Sequence, residues 1–328
     1  MNEEAGLFAL GTFSSDGEAA FPGLVVGQSV LDLRPHLGAT TSTQDLLADW
    51  DITFGRLSEL AAGDLSAAAS LERLRPLPSV QPSQVFCAGA NYFKHMQEFF
   101  RGRIPPDETR SEDELQAQAN EELRKRVESG KPFMYSAPVS ALCGARDDVV
   151  LWGPGVEHDW ELELAVVIGR PARDVSVRDA MGFVAGYTIS NDVSTRDVMF
   201  RQDLPLTDFV MSKGRSTFFP TGPYVVPRQF IPDYRALQIT LKVNGEVMQD
   251  ESTSDMIYGV EQMLAYASSV TDLRPGDLLL TGSPAGNAGH HGNRWLRPGD
   301  VMDGTISGLG FQSNRCVADP RDASTAAK

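Results

Sequence analysis

Between residues 149 and 317 one strand-like run follows another, and a single amphipathic helical stretch, MIYGVEQMLAYASS (256–269), interrupts them. DVVLW, ELELAVVIG, GFVAGYTIS, GPYVV, LLLTG, VMDGTIS and QSNRCV are short, apolar or β-branched runs separated by Gly, Pro, Asp and Ser. LQITLKVNGEVMQD sets Asn244-Gly245 between two such runs, a favoured two-residue hairpin turn. A doubly wound parallel sheet needs a helix after each strand, and this order does not supply them. The expected fold class is α+β and strand-rich: a mixed β-roll or sandwich.

The first part of the chain reads differently. Three runs, LFALGTF (7–13), AFPGLVVG (20–27) and SVLDL (29–33), precede STQDLLADWDI, where a Ser or Thr cap introduces an apolar helical spacing. LSAAASLERL (65–74) is also expected to be helical. RPLPSVQPSQ (75–84) is rich in Pro and Ser and marks the boundary, giving a small N-terminal α/β domain over 1–80 and a catalytic domain over 81–328. After VFCAGANYFKHMQEFF (85–100), the charged segment SEDELQAQANEELRKRVESG (111–130) follows Pro105-Pro106. Its Ala, Glu and Leu content predicts a helix within an insertion at about 100–131.

Charge narrows the partners. With 44 acidic and 29 basic residues the net charge is −15, which argues against nucleic acid or an anionic membrane as the main partner. An anionic substrate would then need a site made positive locally, by a cation or a few basic side chains. Cys87, Cys143 and Cys316 are scattered and lack metal-type spacing, as in a reducing compartment. MNEEAGLF has no basic region leading into a long apolar run, and no stretch is long enough for a bilayer. The expectation is a soluble, cytoplasmic protein.

Glu161-Leu162-Glu163 opens a strand, so both carboxylates point to one face while Leu162, Leu164, Val166 and Ile168 point to the other. Adjacent like charges call for a cation, although a solvated strand face has the same pattern. Asp192 ends GFVAGYTISND, a run that should neighbour the first, and can complete three oxygen ligands. Such a set suits Mg²⁺ or Mn²⁺ better than zinc. Capping of the following STRDVMF is the competing role for Asp192. His95 and Glu98, three apart, share a helix face and can hydrogen-bond as a general-base pair, or form a surface pair. His290 and His291 read as residues of a polar loop. Lys213, among small and apolar residues, can face an anion or solvent, and Arg215 can add a second anion contact or a surface charge. Thr253 and Ser254 can hydrogen-bond a substrate carboxylate or cap the following helix.

Taken in order, GANYFKHMQE, ELELAVVIGR, VAGYTISNDVSTRD, the Lys213 segment ending TFFPTGP, and LKVNGEVMQDESTSDMIYGVEQMLAYASSVTDLRPGDLLLTGSPAG with LRPGDVMDGTISGLG resemble the fumarylacetoacetate hydrolase family from about residue 85 to 317. The resemblance implies a β-roll-like catalytic domain, a homodimer, and Mg²⁺ or Mn²⁺ at Glu161, Glu163 and Asp192. It implies a His95–Glu98 dyad that activates water, on a short element that orders with substrate, and a substrate-facing Lys213. It also implies hydrolysis of a carbon–carbon bond in a small anionic 2-keto acid such as a 2,4-diketo acid. Oxaloacetate decarboxylation, 2-oxo-diene acid isomerisation or hydration, and a non-catalytic role are the alternatives. The sequence departs from the family pattern at Ser136-Ala137, Met199 and Ser283, so no particular substrate carries over.

Overall fold

The computed structural model describes residues 6–15, 19–101, 110–201, 203–204 and 206–321. Ala9–Ser14, Phe21–Val26 and Ser29–Asp32 form an antiparallel meander. Leu10 pairs with Val225, which joins this meander to Phe219–Pro227. The same sheet continues through Val184–Asn191, Leu162–Ile168, Leu278–Leu280, Val85–Gly89 and Phe133–Ala137, and with short marginal strands it has 12 strands. A second sheet of 5 strands runs through Glu246–Ser252, Gln238–Val243, Val301–Ile306, Gly310–Ala318 and Val149–Leu151. The Asn244-Gly245 turn joins Val243 to its partner Glu246, and both turn residues have positive φ, as the favoured hairpin turn requires. The fold is therefore strand-rich α+β, in mixed sheets.

Leu162–Ile168 is buried on both faces along its whole length. A near-continuous apolar run is what such a doubly covered strand requires. One cover is the five-stranded sheet: a Cβ on Gly304 would lie 2.7 Å from the Leu162 side chain, so the glycine permits the two sheets to approach there. Val260–Val270 buries Val260, Met263, Leu264 and Ala267. It begins later than its apolar spacing suggests, because Thr253–Asp255 form a 3-10 turn and the Tyr258 amide donates to Asn91 Oδ1 (2.9 Å).

The expected helix over 65–74 is not formed. Ala69–Ser70 instead pairs with the Ser29–Asp32 strand, and Leu71–Arg73 makes one 3-10 turn. The Leu71 amide donates to the Gln28 carbonyl, so a long-range strand partner overrides the local Ala-rich preference. The insertion helix does form, as Glu112–Ser129, with Ser111 and Glu114 closing a capping box. It braces the helix Phe93–Arg101: Gln97 donates to Asn120 (2.8 Å) and Arg126 to the Ala90 carbonyl (2.9 Å). Pro105 and Pro106 lie outside the described residues. Among the described residues, no helix is long and apolar enough to cross a membrane.

Candidate functional site

Strand register brings the acids together. Leu162 pairs with Asn191 in the antiparallel ladder, and one step outward the Asp192 amide donates to the Glu161 carbonyl (2.9 Å). Glu161 and Asp192 thus face each other across adjoining strand ends. Glu163, two residues along, projects to the same side. Ligand oxygens of Glu161, Glu163 and Asp192 all lie within 4.8 Å of one another, and all three residues are buried. Unscreened carboxylates so close would repel strongly.

Two cations stand among them. Lys213, at the end of the short helix Phe209–Lys213, places Nζ 2.5 Å from Glu161 Oε2 and 2.9 Å from Asp192 Oδ2. Arg196 donates to Asp159 Oδ2 (2.8 Å) and to Glu161 Oε1 (2.5 Å). Burial alone would raise the Glu161 carboxyl, but Lys213 and Arg196 outweigh it and hold the group at about 2. Burial dominates at Asp192 and lifts it to about 6 despite Lys213. Glu163 is pushed well above the carboxylate range by burial and by the charges of Asp192 and Glu161. Burial opposes the charge on Lys213, yet Asp192 and Glu161 keep its ammonium firmly protonated.

The donor set fits a divalent cation. Asp159, Glu161, Glu163 and Asp192 are buried carboxyl groups against two cationic side chains, Lys213 and Arg196. With all four ionised, the deficit would be the charge of one dication. Asp192 Oδ1 is buried without a hydrogen-bond partner, while Oδ2 takes Lys213 and the Tyr135 hydroxyl. Oxygen ligands alone suit a hard ion such as Mg²⁺ or Mn²⁺.

A cavity of about 890 Å³ opens beside this centre and is lined on its polar side by His95, Glu98, Glu161, Arg196 and Lys213. His95 and Glu98 share the Phe93–Arg101 helix as their spacing predicts, but Glu98 is engaged elsewhere. It accepts from the Gly286 amide (3.1 Å), and its other oxygen lies 3.4 Å from His290 Nδ1. His95 Nδ1 is buried without a partner. Burial holds the His95 imidazole down at about 4, with Glu161 pulling the other way, so it is neutral at pH 7. The loop 281–286 contributes backbone donors: the Gly282 amide donates to Glu163 Oε2 (2.7 Å) and the Gly286 amide to Glu98, both glycines at positive φ.

Arg215, Thr253 and Ser254 do not join the cavity lining. The Arg215 guanidinium donates to the carbonyls of Trp152 and Pro154, and so ties the 152–154 turn to its own helix end. Thr253 is buried and donates to the Tyr234 carbonyl (2.7 Å). Ser254 pairs with Ser252 at the surface. The Arg215 charge and the Thr253 hydroxyl are thus spent on nearby carbonyls, and the Ser254 hydroxyl on that of Ser252. His291 bonds the Met248 carbonyl (2.9 Å), and His290 faces Glu98 rather than the acids.

Sequence reading passed over three residues. Asp159 continues the alternation of Glu161 and Glu163 backward by two, so HDWELE carries three acids on one face. Arg196 lies four residues after Asp192, close enough to neutralise the cluster. Tyr135 shares a strand face with Phe133, and only its tertiary partner reveals its role.

Residues 84–317 match the family model described as Fumarylacetoacetate (FAA) hydrolase C-terminal. Oxaloacetate tautomerase Fahd2a, mitochondrial, from Rattus norvegicus is 33% identical over 241 residues, 73% of this chain and 68% of its own length. A 2,4-didehydro-3-deoxy-L-rhamnonate hydrolase from Sphingomonas sp. (strain SKA58) is 41% identical over 186 residues, 56% of this chain and 64% of its own. Among solved structures, maleylpyruvate hydrolase from Sphingobium sp. SYK-6, in complex with manganese (II) ion and pyruvate, superposes with a TM-score of 0.70 at 25% identity. That match covers 94% of this chain and 99% of the other.

Proposed function

Because the chain belongs to the fumarylacetoacetate hydrolase family, we propose that it hydrolyses a carbon–carbon bond in a small 2,4-diketo acid, releasing pyruvate and a carboxylic acid. The observation that carries this reading is a buried triad of carboxylates, reaching a cavity through Glu161, with Lys213, Arg196 and the neutral His95 imidazole in the lining of that cavity. Glu161, Glu163 and Asp192 would hold Mg²⁺ or Mn²⁺, which when bound supplies a Lewis acid for the 2-keto acid end of the substrate. The Sphingobium maleylpyruvate hydrolase, with its manganese ion and pyruvate, and the Sphingomonas 2,4-didehydro-3-deoxy-L-rhamnonate hydrolase support the same class.

The chain's own side chains then have distinct tasks. His95, neutral at pH 7, takes a proton from water, and the hydroxide adds to the C4 carbonyl. Lys213, fixed by Glu161 and Asp192, stabilises negative charge as it develops on the substrate. The C3–C4 bond breaks, its electron pair passes to C3, and the proton held by His95 returns there. Glu98 supports the imidazole when it turns from His290 toward His95. Exposed Leu204, Leu206, Val210 and Met211 support a homodimer, which light scattering tests.

The test is Mg²⁺- or Mn²⁺-dependent loss of diketo absorbance with formation of pyruvate, repeated with His95→Ala and with EDTA. Pyruvate release that ignores both changes would sink the reading. A second reading draws on Glu98 bonding Gly286 rather than His95, and on the rat relative, an oxaloacetate tautomerase: enol–keto exchange or decarboxylation of oxaloacetate needs no activated water. Turnover of oxaloacetate that survives His95→Ala, with diketo acids untouched, would favour it.

A further inference from the structure

One wall of the cavity is aromatic, and it begins at the acids themselves. Phe133–Ala137 presents Phe133 and Tyr135 on one strand face, and Phe209–Lys213 presents Phe209 and Lys213 one helical turn apart. The Tyr135 hydroxyl donates to Asp192, and Lys213 Nζ lies 5.6 Å from the Tyr135 ring centre. Phe209 stacks on Tyr135, with centroids 4.2 Å apart and planes at 11°, and Phe133 meets Phe209 at 6.1 Å. Exposure rises along this series, from half-buried Tyr135 and Phe209 to Phe133 at 50%. The wall therefore runs outward from the ion pair toward the mouth. Met96 and Met199, both buried, add apolar surface to the same cavity.

Several of the polar side chains that share the cavity are committed. Ser283 accepts from Gln249 and donates to the Pro284 carbonyl, the Asn287 amide donates to the Trp160 carbonyl, and His290 faces Glu98. The ring faces of Phe133, Tyr135 and Phe209 offer no hydrogen-bond partner to an arm bearing several hydroxyls and no counter-charge to an arm bearing a carboxylate.

We infer that this wall binds the group beyond the second carbonyl, and that the substrate is an acylpyruvate whose acyl group is aromatic or bulky and apolar. The inference rests on the 2,4-diketo acid reading above. With the 2-keto acid end at Glu161, Glu163 and Asp192, C4 lies along the wall. A planar acyl group then stacks on Phe209 while Phe133 and Met199 close around it.

Binding separates this inference from the catalytic reading. Calorimetry on full-length Mg²⁺-loaded His95→Ala protein would give Kd for benzoylpyruvate, acetylpyruvate, oxaloacetate and a 2,4-diketo-3-deoxy sugar acid. Benzoylpyruvate should bind at least about tenfold more tightly than each of the others, the scale on which apolar pockets discriminate. Adding Phe209→Ala should erase most of that preference. Met199→Gln, which conserves volume and guards against a misfolded Phe209 variant, should reduce it several-fold. Equal affinities, or tighter binding of the sugar acid, would overturn the inference while leaving diketo hydrolysis intact. The aromatic preference in binding, together with no hydrolysis of any acylpyruvate by wild-type protein, would uphold the wall and sink the catalytic reading.

Discussion

The ammonium of Lys213 lies 2.9 Å from Asp192 Oδ2, and both side chains are almost wholly withdrawn from solvent. Asp192 Oδ1 has no partner, so the lysine satisfies one side of the carboxylate and leaves the other open. Removing one member of a buried pair costs about 3–5 kcal/mol, because the remaining charge keeps its desolvation penalty. Lys213→Met is therefore expected to lose stability on that scale in denaturant unfolding of metal-free protein. Saturating Mn²⁺ should restore more stability to the variant than it adds to the wild type. An unchanged midpoint in the metal-free variant would show that Lys213 does not balance these acids.

Glu163 provides the contrasting case. Burial and neighbouring carboxylates push it well above the usual range, so the metal-free protein disfavours its charged form. Glu163→Gln keeps an acceptor for the Gly282 amide and removes the capacity for charge. Metal-free stability should be unchanged or slightly higher, while Mn²⁺ affinity measured by calorimetry falls at least about 100-fold, more than outer partners of a ligand cost. Retained affinity would remove Glu163 from the ligand set.

Gly286 makes the loop 281–286 sensitive to one methyl group. Its φ is +96, and an added Cβ would fall 2.1 Å from the Met248 carbonyl oxygen. Gly286→Ala is expected to cost at least about 2 kcal/mol in unfolding free energy. It should also lower kcat, since the Gly286 amide holds Glu98. Chemical denaturation read beside single-turnover kinetics checks both.

His158 gives a pH dependence away from the acids. Burial, reinforced by the positive charge of Arg215, holds its imidazole at about 4, against an ordinary value of 6.5. The folded protein therefore resists a proton that the unfolded chain accepts. The stability this group contributes is full above about 6.5 and is lost as pH falls toward about 4. His158→Gln should flatten that part of the stability profile, with Thr195 still able to bond the new amide. A variant with the wild-type slope between those limits would assign the dependence to other groups.

The legible parts of this molecule were those set by local chemistry. Strand period alone placed Glu161 and Glu163 together, Asn244-Gly245 announced its hairpin, and Ser111 with Glu114 announced the insertion helix. What escaped depended on distant partners. The Ala-rich 65–74 segment became a strand edge and a 3-10 turn because Ser29 and Gln28 were waiting for it. Arg215 and Thr253 have the right chemistry for an anion but are consumed by nearby carbonyls. The spacing of His95 and Glu98 fixed their shared helix and could not say that Gly286 and His290 compete for the carboxylate.

The centre draws its acids from the ends of paired strands, and its apolar wall from a short helix and the margin strand Phe133–Ala137. The two parts can therefore diverge at different rates during descent. On the proposed reading, substitutions at Phe133, Met199 or Phe209 would change which acids a lineage consumes without disturbing the ladder that fixes Glu161 opposite Asp192. Tyr135 and Lys213 are the hinge between the two, each on an element of the wall and each in contact with the acids.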